Sequence, residues 1–258
     1  MERLDDMQIS KRENGFIYYE TTLLMNENRI QYHFYLVCEN AVYFYTQREI
    51  TTYLPDHTYD FVLLANYEQP SWIKEAVFYQ IFPERFCNGD TSNDVKSGEY
   101  SQNGHPTIHM EQWDLPALYY NESYCLDFFG GDLPGIQKKI PYLKELGVTA
   151  IYLNPIFVSP SNHKYDIQDY DYIDPHYGKI VYDEGVLLKD GETSNTKATR
   201  YVSRVTDQVN LDASNELFAK LTEEIHKRGM KIVLDGVFNH CGSFNKWLDR
   251  EGFYAASG

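Results

Sequence analysis

KIVLDGVFNH, residues 231–240, is the stretch whose reading decides the fold. Ile232, Val233 and Leu234 form a short apolar run just after a predicted helix that ends at Gly229. Such a run reads as a buried parallel strand. Asp235, Asn239 and His240 follow where that strand would emerge. In a (β/α) barrel, polar residues at the C-terminal ends of strands carry the chemistry.

The same strand-then-helix pattern extends upstream. AVFYQIFP (76–83) is a first strand, followed by a polar, glycine-rich stretch over 84–131. A helix is predicted from near Pro134, a residue suited to a first turn, to Gly147. Its Ile136, Ile140, Leu143 and Leu146 fall on one face. VTAIYLNP (148–155) is a second strand. A second helix carries Leu217, Phe218, Leu221 and Ile225, with a cap expected near Ser214. The order β-α-β-α-β implies parallel strands with right-handed crossovers. The expected fold is therefore α/β, the first part, about three strands, of a (β/α)8 TIM barrel over 71–258.

Residues 1–70 read differently. The stretches 16–23, 29–37, 41–46 and 59–64 are rich in Tyr, Phe, Val and Thr and read as strands. Asn26-Glu27-Asn28 and Glu39-Asn40 are turn signals, and Gln69-Pro70-Ser71 reads as a linker. Four strands make a small or partial all-β, sandwich-like domain, since each sheet needs a partner face.

Composition narrows the function. The 258 residues carry a formal charge of −15, which argues against nucleic acid as a partner. Apolar residues make up 43% without a long uninterrupted run, so no membrane span is expected. Cys38, Cys87, Cys125 and Cys241 are widely spaced, with no C-x-x-C pair, and read as reduced thiols. The charged start MERLDDMQISKREN lacks the apolar core of a signal peptide, so a cytoplasmic location is expected. The 23 tyrosines suit sugar stacking as well as ordinary packing.

Four stretches carry candidate chemistry. NGDTSND (88–94) places Asn88, Asp90, Asn93 and Asp94 in one loop. Clustered hard oxygens are what Ca2+ takes, and an Asx-rich turn is the alternative. In FFGGDLPGI (128–136), Asp132 either caps the following helix or joins the Gly130 carbonyl in the same cation shell. NHKYDIQDYDYIDPHYG (162–178) packs His163, Tyr165, Asp166, Asp169, Asp174 and His176 into the loop after the second strand. It is either part of the active-site face or a solvated acidic loop. Asp235 could orient a substrate hydroxyl, and His240 could hydrogen-bond one.

AVFYQIFPERFCNGD, FFGGDLPGI, YLNPIF, HKYDIQDYDYIDPHYG and IVLDGVFNH, in that order, resemble the α-amylase family, glycoside hydrolase family 13. The likeness is to the neopullulanase, cyclomaltodextrinase and maltogenic amylase subgroup, and it covers roughly residues 70–250. The resemblance implies an α-glucan-active retaining hydrolase acting on oligosaccharides or cyclodextrins, homodimeric at full length. It makes Asn88, Asp90, Asn93, Asp94, Gly130 and Asp132 calcium ligands. It makes Tyr165 the aromatic that stacks on the sugar, His240 the histidine that bonds it, and Asp235 a support of the site. It also makes residues 1–70 part of a carbohydrate-binding-like β-sandwich.

Three departures qualify the likeness. The family cleaves with carboxylates borne on later strands, two of them about 5 Å apart across the scissile bond, and no residue here matches them. Residues 1–70 resemble only the C-terminal half of the subgroup's sandwich. The chain therefore reads as a fragment, inactive alone. Residues 179–214 form an insertion, with Lys189-Asp190-Gly191 as a turn and 180–188 and 199–206 as an expected hairpin. A non-catalytic glucan-binding or assembly fragment is the alternative function.

Overall fold

Three parallel strands, Phe78–Ile81, Ala150–Leu153 and Lys231–Leu234, lie side by side in chain order in the computed structural model, which describes residues 3–254. Ala150 pairs with Phe78 on one side and Lys231 on the other, and Leu153 pairs with Ile81 and Leu234. Strand alternation sorts their side chains. Ile81, Ile151 and Leu153 belong to a core shared with Ile136, Ile140, Leu221 and Ile225 of the crossover helices. Gln80 and its register partner Tyr152 point to the opposite face.

The first crossover helix, Leu133–Glu145, starts where sequence predicts, because the Asp132 side chain accepts from the Gly135 N–H at 2.7 Å. The second, Gln208–Lys227, starts earlier than the expected cap at Ser214. Its cap is Asp207, which accepts from Val209 N–H at 2.9 Å. Ser214 and Asn210 are buried inside the helix instead. Asn210 Oδ1 accepts from the Val181 and Tyr182 N–H groups, and Ser214 Oγ bonds Asn210 O and the Lys179 backbone. Polar residues that look like a cap are anchors for the incoming loop.

The hairpin expected within 179–214 is not formed, although its turn is: Glu192 N–H donates to Lys189 O, and Gly191 adopts φ 78°. Residues 199–206 are a helix, Thr199–Thr206. Tyr201, Arg204 and Val205 are its buried face, at helical spacing. The stretch 180–188 forms no strand because its N–H groups are taken elsewhere, Val181 and Tyr182 by Asn210 and Leu188 by Gly98 O. Tertiary bonding overrides the β-like composition.

Contacts divide the chain into two compact units, Met1–Ile73 and Lys74–Gly258. In the first, the described residues form antiparallel strands: Gln8–Glu13 with Phe16–Glu20, Arg29–Tyr32 with Phe61–Leu64, and Phe34–Val37 with Val42–Tyr45 and then Ile50–Thr51. Ring contacts among Tyr32, Phe34, Tyr45 and Phe61 join two of these sheets. The strand Gln8–Glu13 has no apolar signature and lies outside the stretches expected from sequence. Its signal is Asn14-Gly15, whose φ values of 49° and 81° make the tight hairpin turn.

Candidate substrate site and loop cation site

The C-terminal ends of the three strands carry the candidate substrate site. Asp235 is held at the end of its strand by its N–H to Leu153 O at 3.1 Å. Tyr165 OH donates to Asp235 Oδ2 at 2.8 Å, and His240 Nε2 lies 3.0 Å from Tyr165 O. Tyr165 therefore links the other two residues singled out by sequence. Tyr170 OH, 2.8 Å from Val237 O and 2.6 Å from His240 O, secures the loop between them with its single proton shared by the two carbonyls.

A cleft of about 570 Å³ opens here, lined by Phe78, Gln80, Tyr152, Tyr165 and Asp235. Gln80, Tyr152 and Phe78 were missed by sequence reading. Their signal is strand alternation: they share the face turned away from the helices. Burial, then the Asp235 carboxylate, pushes Tyr165 up to about 12, so it stays a neutral donor. Burial lowers His163, whose Nδ1 accepts from the Tyr165 N–H at 3.0 Å and so fixes that backbone.

Most of the rest of the 162–178 loop is buried outside the cleft, with Asp171 its exposed exception. It contributes to a buried ionic chain. Lys164 Nζ meets Asp174 Oδ2 at 2.6 Å, and Asp174 Oδ1 meets His176 Nδ1 at 2.8 Å. His176 Nε2 meets Glu99 Oε1 at 2.7 Å, and Glu99 Oε2 meets Arg204 at 2.9 Å. Burial pushes His176 down, but Glu99 and Asp174 outweigh it and hold the imidazole above its ordinary value. Burial likewise opposes ionisation of Asp174, yet Lys164 and His176 hold it below the carboxylate range. Each charge is matched, as burial requires.

The loop 88–94 folds against Asp132 and Gly130. Asp132 Oδ1 accepts from the N–H groups of Gly89 and Gly135, and Oδ2 from Asp90 N–H and Asn93 Nδ2. Burial pushes its carboxyl up to about 6 against those donors. Four donors fill a carboxylate's usual capacity, which fits the cap. Asp90 Oδ1 is turned onto Ser92 N–H and Oγ, an Asx turn. The remaining residues fit the implied calcium ion. Asn88 Oδ1 and Asn93 Oδ1 are buried with no hydrogen-bond partner. Asn88 Nδ2 donates to Asp94 Oδ1 at 2.8 Å. Gly130, at φ 79°, leaves room beside them, since a Cβ there would collide with Asp94 Oδ1. Orphaned oxygens and a glycine-made recess are a donor set for a hard cation.

The family description "Alpha amylase, catalytic domain" matches residues 80–184 and 212–256, more than half of the sequence. The chain belongs to the alpha-amylase family. Neopullulanase 2 of Thermoactinomyces vulgaris is 37% identical over 235 residues, 89% of this chain and 32% of the relative. A cyclomaltodextrinase of Thermoanaerobacter pseudethanolicus is 34% identical over 249 residues, 93% of this chain and 34% of the relative. The chain thus spans about a third of each. Among solved structures, the type III pullulan hydrolase from Thermococcus kodakarensis is similar with a TM-score of 0.53 and 28% identity, over 80% of this chain and 32% of that one. The family match breaks between 184 and 212, the segment that holds Thr199–Thr206. Among the described residues no helix is long and apolar enough to cross a membrane.

Proposed function

We propose that this chain carries the sugar-holding part of an α-glucan hydrolase of the neopullulanase and cyclomaltodextrinase type, with the cleaving carboxylates supplied by sequence outside these 258 residues. The observation that carries the reading is the Tyr165–Asp235–His240 contact at the strand ends, beside a cleft floored by Gln80 and Tyr152. In this reading the three parallel strands are the first part of a barrel. Tyr165 offers its ring to a glucose face, and Asp235 holds the ring in place through the phenol. His240, whose Nε2 is bonded to Tyr165 O, presents its remaining edge to a sugar hydroxyl. Asn88, Asn93, Asp94 and the Gly130 carbonyl would hold a calcium ion whose role is to pin the loop. Asp90 and Asp132 join that shell only by giving up present N–H donors.

The test is a titration of the chain with maltotetraose and with a cyclomaltodextrin, followed by NMR. Shifts of Tyr165 and His240 resonances are expected, and Tyr165→Ala should weaken binding roughly tenfold, the scale of one lost stacking contact. Shifts confined to other surfaces, or unchanged affinity in the variant, would refute the site.

A further inference from the structure

The unit Met1–Ile73 holds a group of side chains that the glucan reading does not use. His57 opens a short 3-10 turn, His57–Tyr59, and Asp60 closes it. Three residues apart in such a turn, the two side chains lie on the same side. His33 stands in the break between the strands Arg29–Tyr32 and Phe34–Val37 and reaches the same point. His33 Nδ1 is 2.8 Å from Asp60 Oδ1, and His57 Nδ1 is 2.9 Å from Asp60 Oδ2. One ligand atom from each of the three lies within 4.8 Å of the others.

We propose that His33, His57 and Asp60 form a binding site for a divalent transition metal of the zinc type. Imidazole and carboxylate are the ligands such ions take, with nitrogen and oxygen about 2.0–2.2 Å from the metal. Tetrahedral ligands at that distance are about 3.3 Å apart, so the group needs only a small adjustment.

Two ligands are buried or nearly so, and one is exposed. Asp60 is 3% exposed, its carbonyl accepts from Gln47 Nε2, and its N–H donates to His57 O. The His33 ring is stacked on Tyr35 at 5.2 Å and is 10% exposed. The His57 side chain is 63% exposed, which leaves a fourth position open to water.

Charge supplies the second argument. The ion pairs of Asp60 among the described residues are both to histidines, with no Lys or Arg. A buried carboxylate requires compensating charge. A divalent cation between the three supplies it. The nitrogen and carboxylate set also separates this site from the all-oxygen calcium loop, because hard cations prefer oxygen.

The experiment uses the full chain with calcium present. Co2+ is titrated in and read by its visible absorption, then displaced by Zn2+, and thermal unfolding is recorded with and without Zn2+. The expected result is one Co2+ per chain with tetrahedral absorption, displacement by Zn2+ but not by excess Ca2+, and a higher Tm with Zn2+. His57→Ala removes the exposed ligand and spares the buried ones. It should keep the metal-free Tm and weaken Zn2+ binding roughly 10- to 100-fold or more. His33→Gln should weaken it too. Absence of tetrahedral Co2+ absorption means that Asp60 is only a hydrogen-bonded clamp, and overturns the proposal. Unchanged Zn2+ affinity in both variants places the metal on other histidines, and overturns it equally.

Discussion

Single residues decide two of the expected responses. Asn93 is fully buried, and its Oδ1 has no partner. Such an atom costs about 1–3 kcal/mol unless something satisfies it. Calcium should therefore raise the Tm of this chain, and EDTA should lower it again. In Asn93→Ala that calcium-dependent rise should vanish, as scanning calorimetry would show; an undiminished rise would place the ion elsewhere. His176 sets the pH response. Its two ring nitrogens face Glu99 and Asp174, which hold it protonated above its ordinary value against the effect of burial. A basic group raised in the folded state contributes stability that is fully present below its unfolded value, about 6.5, and is lost as pH rises through the raised one. Urea midpoints should fall from about pH 6 upward in the wild type, and fall less in His176→Gln over the same window.

At the scale of elements, the turn after the first parallel strand positions the proposed cation loop. Glu84, buried at the strand end, accepts from the N–H groups of Phe129 and Gly130 through Oε1. Burial pushes its carboxyl up to about 8 despite those donors and the nearby Arg85. It positions Gly130, and through it the recess beside Asp94. Glu84→Ala leaves two buried N–H groups unpaired and should cost roughly 2–5 kcal/mol, with calcium binding weakened as well. Glu84→Gln keeps an acceptor oxygen and should retain most of both. Equal losses in the two variants would mean that charge, not hydrogen bonding, is what Glu84 contributes. The helix Thr199–Thr206 supports the same loop from the other side, since Arg204 donates to Asp94 O and pairs with Glu99.

For the whole molecule, the consequence lies at the sheet edges. Among the described residues, Phe78–Ile81 and Lys231–Leu234 are the outer strands of their sheet, and Leu234, Phe238 and Trp247 are exposed. Outer strands beside apolar surface favour association. The chain should bind a hydrophobic dye and self-associate at raised concentration. It should release no reducing sugar from pullulan, starch or cyclomaltodextrin, since no residue here is matched to a nucleophile or acid. A cooperative transition from a dye-free monomer would contradict the first expectation, and measurable release by purified chain the second.

Legibility followed how local each signal was. The parallel strands, the helix from Asp132, and the grouping of Tyr165, Asp235 and His240 could be read from short apolar runs, a cap and strand-end polar residues. These signals sit within one element, where backbone geometry and side-chain period act directly. The sequence by itself thus determined the α/β order and the residues that gather at the strand ends. Tertiary structure decided what depends on partners distant in the chain. It made 199–206 a helix because Arg204 finds Glu99 and Asp183, and Tyr201 finds Tyr100. It divided the polar residues of 162–178 between the cleft and a buried ionic chain. It also brought His33 within reach of His57 and Asp60. Each of these outcomes rests on pairing a buried charge or polar group with one far along the sequence, and no local periodicity encodes that pairing.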